Sequence, residues 1–156
     1  MGGKAVELSR DHKPDDQVEK DRIEKAGGFV SNGRVDGNLA VSRALGDFEY
    51  KSKDNVHVSE QPVTAKCDFI KVPVTPDLEF IFLACDGVWD VRTNQEAVEL
   101  LHKHCYQNNY TQTKKDIKSF KGGLEKFVDE CCPDEIPPGG KGTDNISALI
   151  VHFVSN

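Results

Sequence analysis

Apolar positions in the first half of the chain are few, and polar and glycine residues separate them. Residues 4–9 alternate apolar and polar side chains, which predicts a short strand. Residues 17–26 carry three apolar side chains and acidic residues near their start, which predicts a surface helix that ends at Gly27-Gly28. Asn32-Gly33 predicts a tight hairpin, because these residues adopt the positive φ angles of a type I′ turn. We interpret residues 39–47 as a short apolar piece that leads into an irregular loop.

The second half of the chain contains longer apolar runs. Residues 69–74 and 79–85 predict two strands joined by a short turn, an arrangement that favours antiparallel pairing between them. The sequence Thr-Asn-Gln-Glu at 93–96 matches a capping box, and apolar residues at helical spacing follow it. A second amphipathic stripe over 117–131 predicts another helix, and residues 146–154 predict a terminal strand.

The order of these elements is strands, then helices, then a strand. This order favours an α+β fold over a doubly wound parallel sheet, in which strands and helices alternate. A chain of 156 residues has the length of one domain and buries about 70% of the surface that its unfolded form exposes. No linker or repeat divides the sequence, so we interpret residues 1–156 as belonging to one domain.

Charge and cysteine content narrow the class of protein. Charged residues make up 29% of the chain and the net charge is -6, which argues against nucleic-acid binding by bulk electrostatics. No apolar run approaches the roughly 20 residues of a membrane-spanning helix, so we expect no membrane insertion. The five cysteines are an odd number without regular spacing. They favour a reducing compartment, the cytoplasm or the nucleus, over a disulfide framework.

Histidines and cysteines near the predicted helices raise the alternative of a zinc site. The candidate ligands are His102, His104, Cys105, Cys131 and Cys132. The chain has no Cys-x-x-Cys pair, and two adjacent cysteines do not easily turn toward one ion. We expect buried or half-buried thiols and surface histidines instead.

Two aspartates lie at the ends of the most apolar predicted strands. Asp86 follows the run 80–84, and Asp144 precedes the run 146–151. A carboxylate at the end of a buried strand is costly unless it is paired or bound to a cation, and carboxylate oxygens suit Mg²⁺ or Mn²⁺. The other interpretation is structural, because Asp-Gly pairs and loop aspartates occur in ordinary turns. Asp90 is either a third ligand or a residue that stabilises the N-terminus of the following helix.

Five sequence blocks, in their order and spacing, resemble the metal-dependent PP2C-type protein serine/threonine phosphatases. The blocks are Asp11-His12-Lys13-Pro14; Arg22-Ile23 with Ala26-Gly27-Gly28; residues 34–47; residues 84–91; and residues 142–147. Together they extend over nearly the whole chain and are far more specific than one acidic turn. The resemblance implies part of an α-β-β-α sandwich with mainly antiparallel sheets and flanking helices.

The resemblance also implies metal ligands. Asp86 and Asp144 match ligand positions of the family, and Asp90 matches the position of an additional, more weakly held ion. The complete domain is expected to hold two Mg²⁺ or Mn²⁺ ions, with a third and weaker one. Two such ions activate a water and bind a phosphoryl oxygen.

The segment 15–60 corresponds to the region of the family that contains the flap beside the active site, where members differ in substrate choice. Arg34 or Arg43 is therefore expected near the substrate. A salt bridge that holds the loop is the alternative for either arginine.

Several blocks that the family carries nearer its N-terminus are not in this sequence. They are the Asp-Gly-His-Gly-Gly block, with the bridging aspartate and the proposed general acid, a phosphate-binding arginine, and a Gly-Asp-Ser-Arg strand. The chain therefore resembles the C-terminal portion of a catalytic domain. The Pro- and Gly-rich loop 133–142 and the opening residues 3–6 point to the gamma-type branch.

The resulting hypothesis is a parent protein that hydrolyses phosphoserine and phosphothreonine by direct attack of a metal-activated water. We expect this chain alone to be inactive or nearly so, because its carboxylates lack the bridging ligand. The alternative is a non-catalytic interaction module that kept the fold, against which the retention of Asp86 and Asp144 argues. Expected partners are phosphoprotein substrates, with no nucleic acid and no membrane. An open strand edge at residues 4–9 would favour self-association.

Overall fold

The computed structural model describes residues 2–105, 117–135, 137–140 and 142–153. The chain divides into two compact units. Leu8–Lys71 form the first, here called the hairpin unit, and Met1–Glu7 with Val72–Asn156 form the second, here called the strand–helix unit. Neither crossing between the units carries a run of proline, glycine or serine, so the residue pattern contained no signal of this division.

A helix and a hairpin form the framework of the hairpin unit. Helix α1 is Gln17–Lys25, and the glycine pair that follows it ends the helix with backbone hydrogen bonds to its last turn. Strand β1 (Val30–Ser31) pairs with β2 (Arg34–Val35) in antiparallel register. Asn32 and Gly33 join the strands with φ angles of 53° and 68°, the left-handed values of a type I′ turn. The helix, its glycine stop and the hairpin predicted from the sequence are confirmed.

Apolar side chains from each element of this unit meet in a small core. Ile23 of α1, Val35 of β2 and Val63 are fully buried, and Tyr50 is nearly so. Tyr50 comes from a 3₁₀ turn, Phe48–Lys51, that follows the predicted irregular loop. Because so few large side chains are buried here, polar contacts carry much of the tertiary structure of the unit.

A buried carboxylate is the centre of those polar contacts. Glu19 on α1 is 2% exposed and accepts hydrogen bonds from Arg22 and, at 2.5 Å, from Nη2 of Arg43. The Ser42 hydroxyl donates to the same carboxylate at 2.7 Å, and Arg43 also pairs with Asp68 at 3.1 Å. The two guanidinium groups offset the cost of burying the negative charge. Helix α1 is thereby tied to the loop that follows the hairpin.

An antiparallel ladder is the framework of the strand–helix unit. Strand β3 (Phe80–Ala84) pairs along its full length with β4 (Ala148–His152). The strands predicted over 79–85 and 146–154 are therefore confirmed, and with the flanking helices they confirm the α+β class.

Helix α2 (Asp86–Trp89) follows β3. Helices α3 (Asn94–Cys105) and α4 (Ile117–Asp129) cover one face of the ladder, as their amphipathic patterns predicted. Leu101 and Phe127 are fully buried there, and the Phe127 ring centre lies 5.1 Å from the ring centre of Phe82 in an edge-on arrangement.

Among the described residues, no helix is both long and apolar enough to cross a membrane.

The other face of the ladder also carries aliphatic side chains. Ile81 lies opposite Val151 and Leu83 lies opposite Leu149. Leu83 is 50% exposed and Leu149 is 57% exposed, since the helices cover only the first face. The interpretation of these strands as core strands is therefore correct for one face and wrong for the other.

Local contacts determine where α3 begins and how closely α4 packs on it. The Glu96 amide donates to Oγ1 of Thr93 at 3.3 Å, and the Thr93 amide donates to the Glu96 carboxylate at 2.7 Å. This reciprocal pair is the predicted capping box. In α4, a Cβ on Gly123 would lie only 2.5 Å from Sγ of Cys105. A residue of poor helix propensity is thus required by close packing.

The predicted strand at 69–74 is absent. Its expected pairing with 79–85 is wrong, because β3 pairs with β4. Pro73 has no amide hydrogen to donate to a ladder, which disfavours a strand with two neighbours. Phe69 is 92% exposed, so the segment does not bury the apolar run that suggested a strand.

Residues 4–9 also form no strand, so the short strand predicted for them is wrong. The side chain of Gln95 takes the place of a neighbouring strand, since its amide donates to the carbonyl oxygen of Gly3 at 3.1 Å and accepts from the Ala5 amide at 2.9 Å. Self-association stays a prediction, but the strand edge on which it rested is not formed by residues 4–9.

The charge cluster around Glu19 predicts a pH dependence. Burial by itself raises the pKa of Glu19, but hydrogen bonds from Arg43, Arg22 and Ser42 outweigh it and lower the pKa from 4.5 to about 2. Because the folded pKa lies below the unfolded one, this stabilisation is complete above pH 4.5 and is lost as pH falls toward 2. We expect Glu19→Gln to remove that pH dependence and to destabilise the hairpin unit at neutral pH by about 3–5 kcal/mol, since both arginines lose their buried partner.

Amide hydrogen exchange in α1 measures this effect, because the one tryptophan, Trp89, lies in the other unit. Glu24→Gln, which changes an exposed carboxylate on the same helix, is the matched control and should alter exchange little. A Glu19 carboxyl titration midpoint near 4.5 in the wild-type chain, followed by NMR, would contradict the expectation.

Candidate metal site

Asp86 lies where β3 ends. One residue beyond the strand the chain enters α2, a single helical turn formed by Asp86–Trp89. Trp89 closes this turn, since its indole Nε1 donates to the carbonyl oxygen of Ala84 at 2.8 Å. The backbone amide of Asp90 donates to the carbonyl oxygen of Asp86 at 2.8 Å. Positions four residues apart in a helical turn lie on the same side, so Asp86 and Asp90 are neighbours.

Asp144 lies in the loop that leads into β4. Oγ1 of Thr143 donates to the carbonyl oxygen of Gly140 at 2.6 Å and closes a tight turn. Gly142, inside that turn, has a φ of +82°, a value that favours glycine. The amide of Asn145 then donates to Oδ1 of Asp144 at 2.7 Å. This contact orients the carboxylate against its own backbone.

The antiparallel ladder brings these two segments to the same end of the ladder, because β3 ends where β4 begins. Beyond the last pair of the ladder, the Cys85 amide donates to the carbonyl oxygen of Ser147 at 3.1 Å. A Cβ on Gly87 would lie 2.4 Å from the carbonyl oxygen of Asn145, closer than a real Cβ approaches another atom. The backbone of the Asp86 turn therefore lies directly against the backbone of the Asp144 loop.

A polar cleft with a volume of about 550 Å³ lies at this end of the ladder. Its lining consists of Gly87, Asp90, Gly139, Gly140, Gly142, Thr143 and Asp144. Asp90 and Asp144 thus share one cleft, whereas Asp86 lies outside that lining. Within the ranges that the structure describes, no three His, Cys, Asp or Glu side chains converge as a compact metal site requires.

All three aspartates are exposed to solvent. The expectation of a costly carboxylate at a buried strand end is therefore wrong for this chain, because water solvates each group. The cleft nevertheless fits a hard divalent cation. Its lining offers carboxylate oxygens, without thiolate or imidazole, and its open volume suits an ion that keeps several of its waters.

The two candidate substrate arginines lie in the hairpin unit. Arg43 is bound to the carboxylates of Glu19 and Asp68, which supports the alternative of a salt bridge that holds the loop. Arg34 is exposed and donates to the carbonyl oxygen of Asn38 at 2.6 Å. A role near substrate stays a prediction for both.

Residues of the zinc alternative have other partners. His102 pairs with Glu79 at 3.3 Å, and His104 pairs with Glu130 at 2.7 Å. Cys131 is 4% exposed within the apolar core, and burial raises the pKa of its thiol. The buried thiol matches what the sequence suggested, whereas the histidines are held by carboxylates rather than standing alone on the surface.

Sequence reasoning missed three features of the site. They are the close approach at Gly87, the cleft wall formed by glycines of the loop 133–142, and the hydrogen bonds of the Cys85 thiol. The glycine-rich composition of the loop was the available signal for a cleft wall made of backbone. Nothing in the sequence indicates the 2.4 Å approach at Gly87, because it depends on a segment far along the chain.

Comparisons with known proteins decide the family. The family model described as Protein phosphatase 2C matches residues 1–121. The chain belongs to the protein phosphatase 2C family. The resemblance carried by the five sequence blocks is thereby confirmed, and the antiparallel strands with flanking helices agree with that fold.

Relatives of this PP2C chain are longer than it is. A probable protein phosphatase 2C of Caenorhabditis elegans is 45% identical over 149 residues, which cover 96% of this chain and 39% of the relative. Protein phosphatase 2C homolog 2 of Schizosaccharomyces pombe is 41% identical over 152 residues, again 39% of its length. The chain thus spans about two fifths of these relatives. The gamma-type branch stays a prediction.

Solved structures give the same result. A phosphatase from a pathogenic strain of Toxoplasma gondii matches with a TM-score of 0.72 and 32% identity, over 97% of this chain and 43% of that one. A sex determining protein of C. elegans matches with a TM-score of 0.64 and 29% identity, over 96% of this chain and 33% of that one.

The contact at Gly87 predicts a sensitivity to one methyl group. Gly87→Ala forces the Asn145 backbone to move, so we expect it to destabilise the strand–helix unit by about 1–3 kcal/mol. Urea unfolding followed by Trp89 fluorescence measures the change. Gly122→Ala is the matched control, because a Cβ there meets nothing within 4 Å and alanine favours a helix. Equal stability of Gly87→Ala and the wild type would contradict the close contact.

Proposed function

We propose that this chain supplies carboxylate ligands to a Mg²⁺ or Mn²⁺ site at which a PP2C-family enzyme hydrolyses phosphoserine and phosphothreonine in proteins. The observation that carries the proposal is the cleft that Asp90 and Asp144 both line, at the end of the β3–β4 ladder where Asp86 begins its helical turn. Family membership supports the reaction class, and the polar cleft supports a metal site at this position.

The ligand chemistry supports a hard cation. Each candidate ligand is a solvated carboxylate, a donor type that Mg²⁺ and Mn²⁺ prefer, and two of them, Asp90 and Asp144, line the polar cleft. When bound, such a cation supplies Lewis acidity toward a phosphoryl oxygen and makes water a stronger acid. Asp86 and Asp144 would hold the main ions, and Asp90 a weaker one.

The protein residues contribute position and space. The β3–β4 ladder holds the Asp86 turn against the Asp144 loop, so the distance between the backbones that carry the two carboxylates is defined. The glycines that line the cleft leave it open, because they have no side chains that project into it. A phosphoryl group of a protein substrate then has access to the ions from solvent.

The chain by itself would bind metal weakly. It spans about two fifths of its relatives, and in its described part no three ligand side chains converge. Two or three exposed carboxylates leave most of a six-coordinate shell to water. We therefore propose that the enzyme's activity requires residues beyond those of this cleft, and that this chain alone has little turnover.

Mn²⁺ binding tests the site directly. Titration of the chain, followed by the EPR signal of free Mn²⁺, should show weak binding that Asp86→Asn and Asp144→Asn each reduce by about tenfold or more, which is about 1.4 kcal/mol. Asp129→Asn removes an exposed aspartate at the end of α4 and is the control that should leave the affinity unchanged. Binding that is equal in all four proteins would exclude these ligands, and no binding by the wild type would favour the interaction module.

Turnover of a small aryl phosphate with Mn²⁺ tests the expected inactivity. We expect a rate close to that of buffer with Mn²⁺, since the ligand shell is incomplete. The Asp86→Ala variant is the control for contaminating phosphatases, because any true activity of the chain should disappear in it. Robust turnover that Asp86→Ala abolishes would show that the chain is sufficient and that the expectation is wrong.

A further inference from the structure

The thiol of Cys85 lies between the two segments that carry the candidate ligands. Cys85 is half-buried and directly precedes Asp86. Its Sγ donates to the carbonyl oxygen of Asn145 at 3.2 Å and accepts a hydrogen bond from the amide of Ser147 at 3.2 Å. One side chain therefore satisfies two backbone groups of the Asp144 loop.

These contacts begin where the ladder stops. The last residue pair of the β3–β4 ladder is Ala84 with Ala148, and beyond it one backbone hydrogen bond, from Cys85 to Ser147, continues the pairing. The thiol adds two further contacts at this point, on the loop side that bears Asp144. It acts as a side-chain extension of the ladder.

Backbone position matters here because the candidate ligands are exposed. An exposed carboxylate has little side-chain packing to orient it, so the separation of Asp86 and Asp144 depends on how their backbones are held. The missing Cβ of Gly87 allows the close approach, and the Cys85 thiol connects the end of β3 to the Asp144 loop by hydrogen bonds.

We propose that Cys85 is a positioning residue. Its thiol holds the Asp144 loop against the Asp86 turn and so sets the separation of the two carboxylates at the proposed metal site. This inference rests on the proposed metal site. Loss of an outer-shell contact of this kind lowers metal affinity by about tenfold or more. Serine retains a donor and an acceptor, but its shorter bond to Cβ reaches the loop less well, so it should rescue only in part.

The experiment uses the full chain with Cys85→Ala, Cys85→Ser and the control Cys132→Ala, which removes an exposed thiol of the same unit. Three quantities are measured: the Mn²⁺ dissociation constant by EPR, the exchange rate of the Ser147 amide without metal, and the unfolding midpoint from Trp89 fluorescence. We expect Cys85→Ala to weaken Mn²⁺ binding about tenfold. Its Ser147 amide should exchange faster, while its unfolding midpoint stays near that of the wild type.

Two outcomes would overturn the positioning role. One is unchanged Mn²⁺ affinity and unchanged Ser147 exchange in Cys85→Ala. The other is a loss of affinity that follows the unfolding midpoint equally in the alanine and serine variants, which indicates a structural role only. Failure of the wild type to bind Mn²⁺ would instead overturn the proposed metal site, and Ser147 exchange in the metal-free chain would still decide whether the thiol holds the loop.

Discussion

The antiparallel pairing of β3 with β4 is the interaction on which the candidate site depends. It joins segments that are far apart in the sequence and, because the strands run in opposite directions, it brings the end of one to the start of the other. This pairing brings Asp86 and Asp144 to the same end of the ladder. The helices that cover one face of the ladder stabilise the pairing through apolar burial, and α2 lies at that end of the ladder.

Close packing sets the limits of that arrangement. Gly87 lies against the Asp144 loop, and Gly123 lies against the last turn of α3, each at a distance that excludes a Cβ. Interiors packed this tightly transmit a change of one methyl group into a movement of backbone. The site therefore depends on residues that carry no chemistry of their own.

The hairpin unit is held together differently. Its apolar core is small, and the buried carboxylate of Glu19 pairs with Arg22 of the same helix and joins α1 to Arg43 of the loop that follows the hairpin. Removing a charge from water is costly, so such a cluster stabilises only while every member is present. The one chain thus contains a unit organised by a strand ladder and a unit organised by a buried ion cluster.

The sequence by itself determined the elements whose signals are local. Helix α1 and its glycine stop, the Asn32-Gly33 hairpin, the capping box at Thr93 and the amphipathic helices follow from interactions within a few residues. The ordered motifs likewise identified the family, because each block lies within a short stretch of the sequence.

Only the tertiary structure decided which strand pairs with β3. The apolar run at 69–74 has the sequence pattern of a strand, as β4 has, but most of its side chains are exposed and it does not pair with β3. It also decided that Glu19 is buried, that Asp86 and Asp144 are exposed, and that Gly87 meets Asn145. Burial and pairing depend on what arrives from distant parts of the chain. Propensity and spacing, which act over one or two turns, contain no record of it.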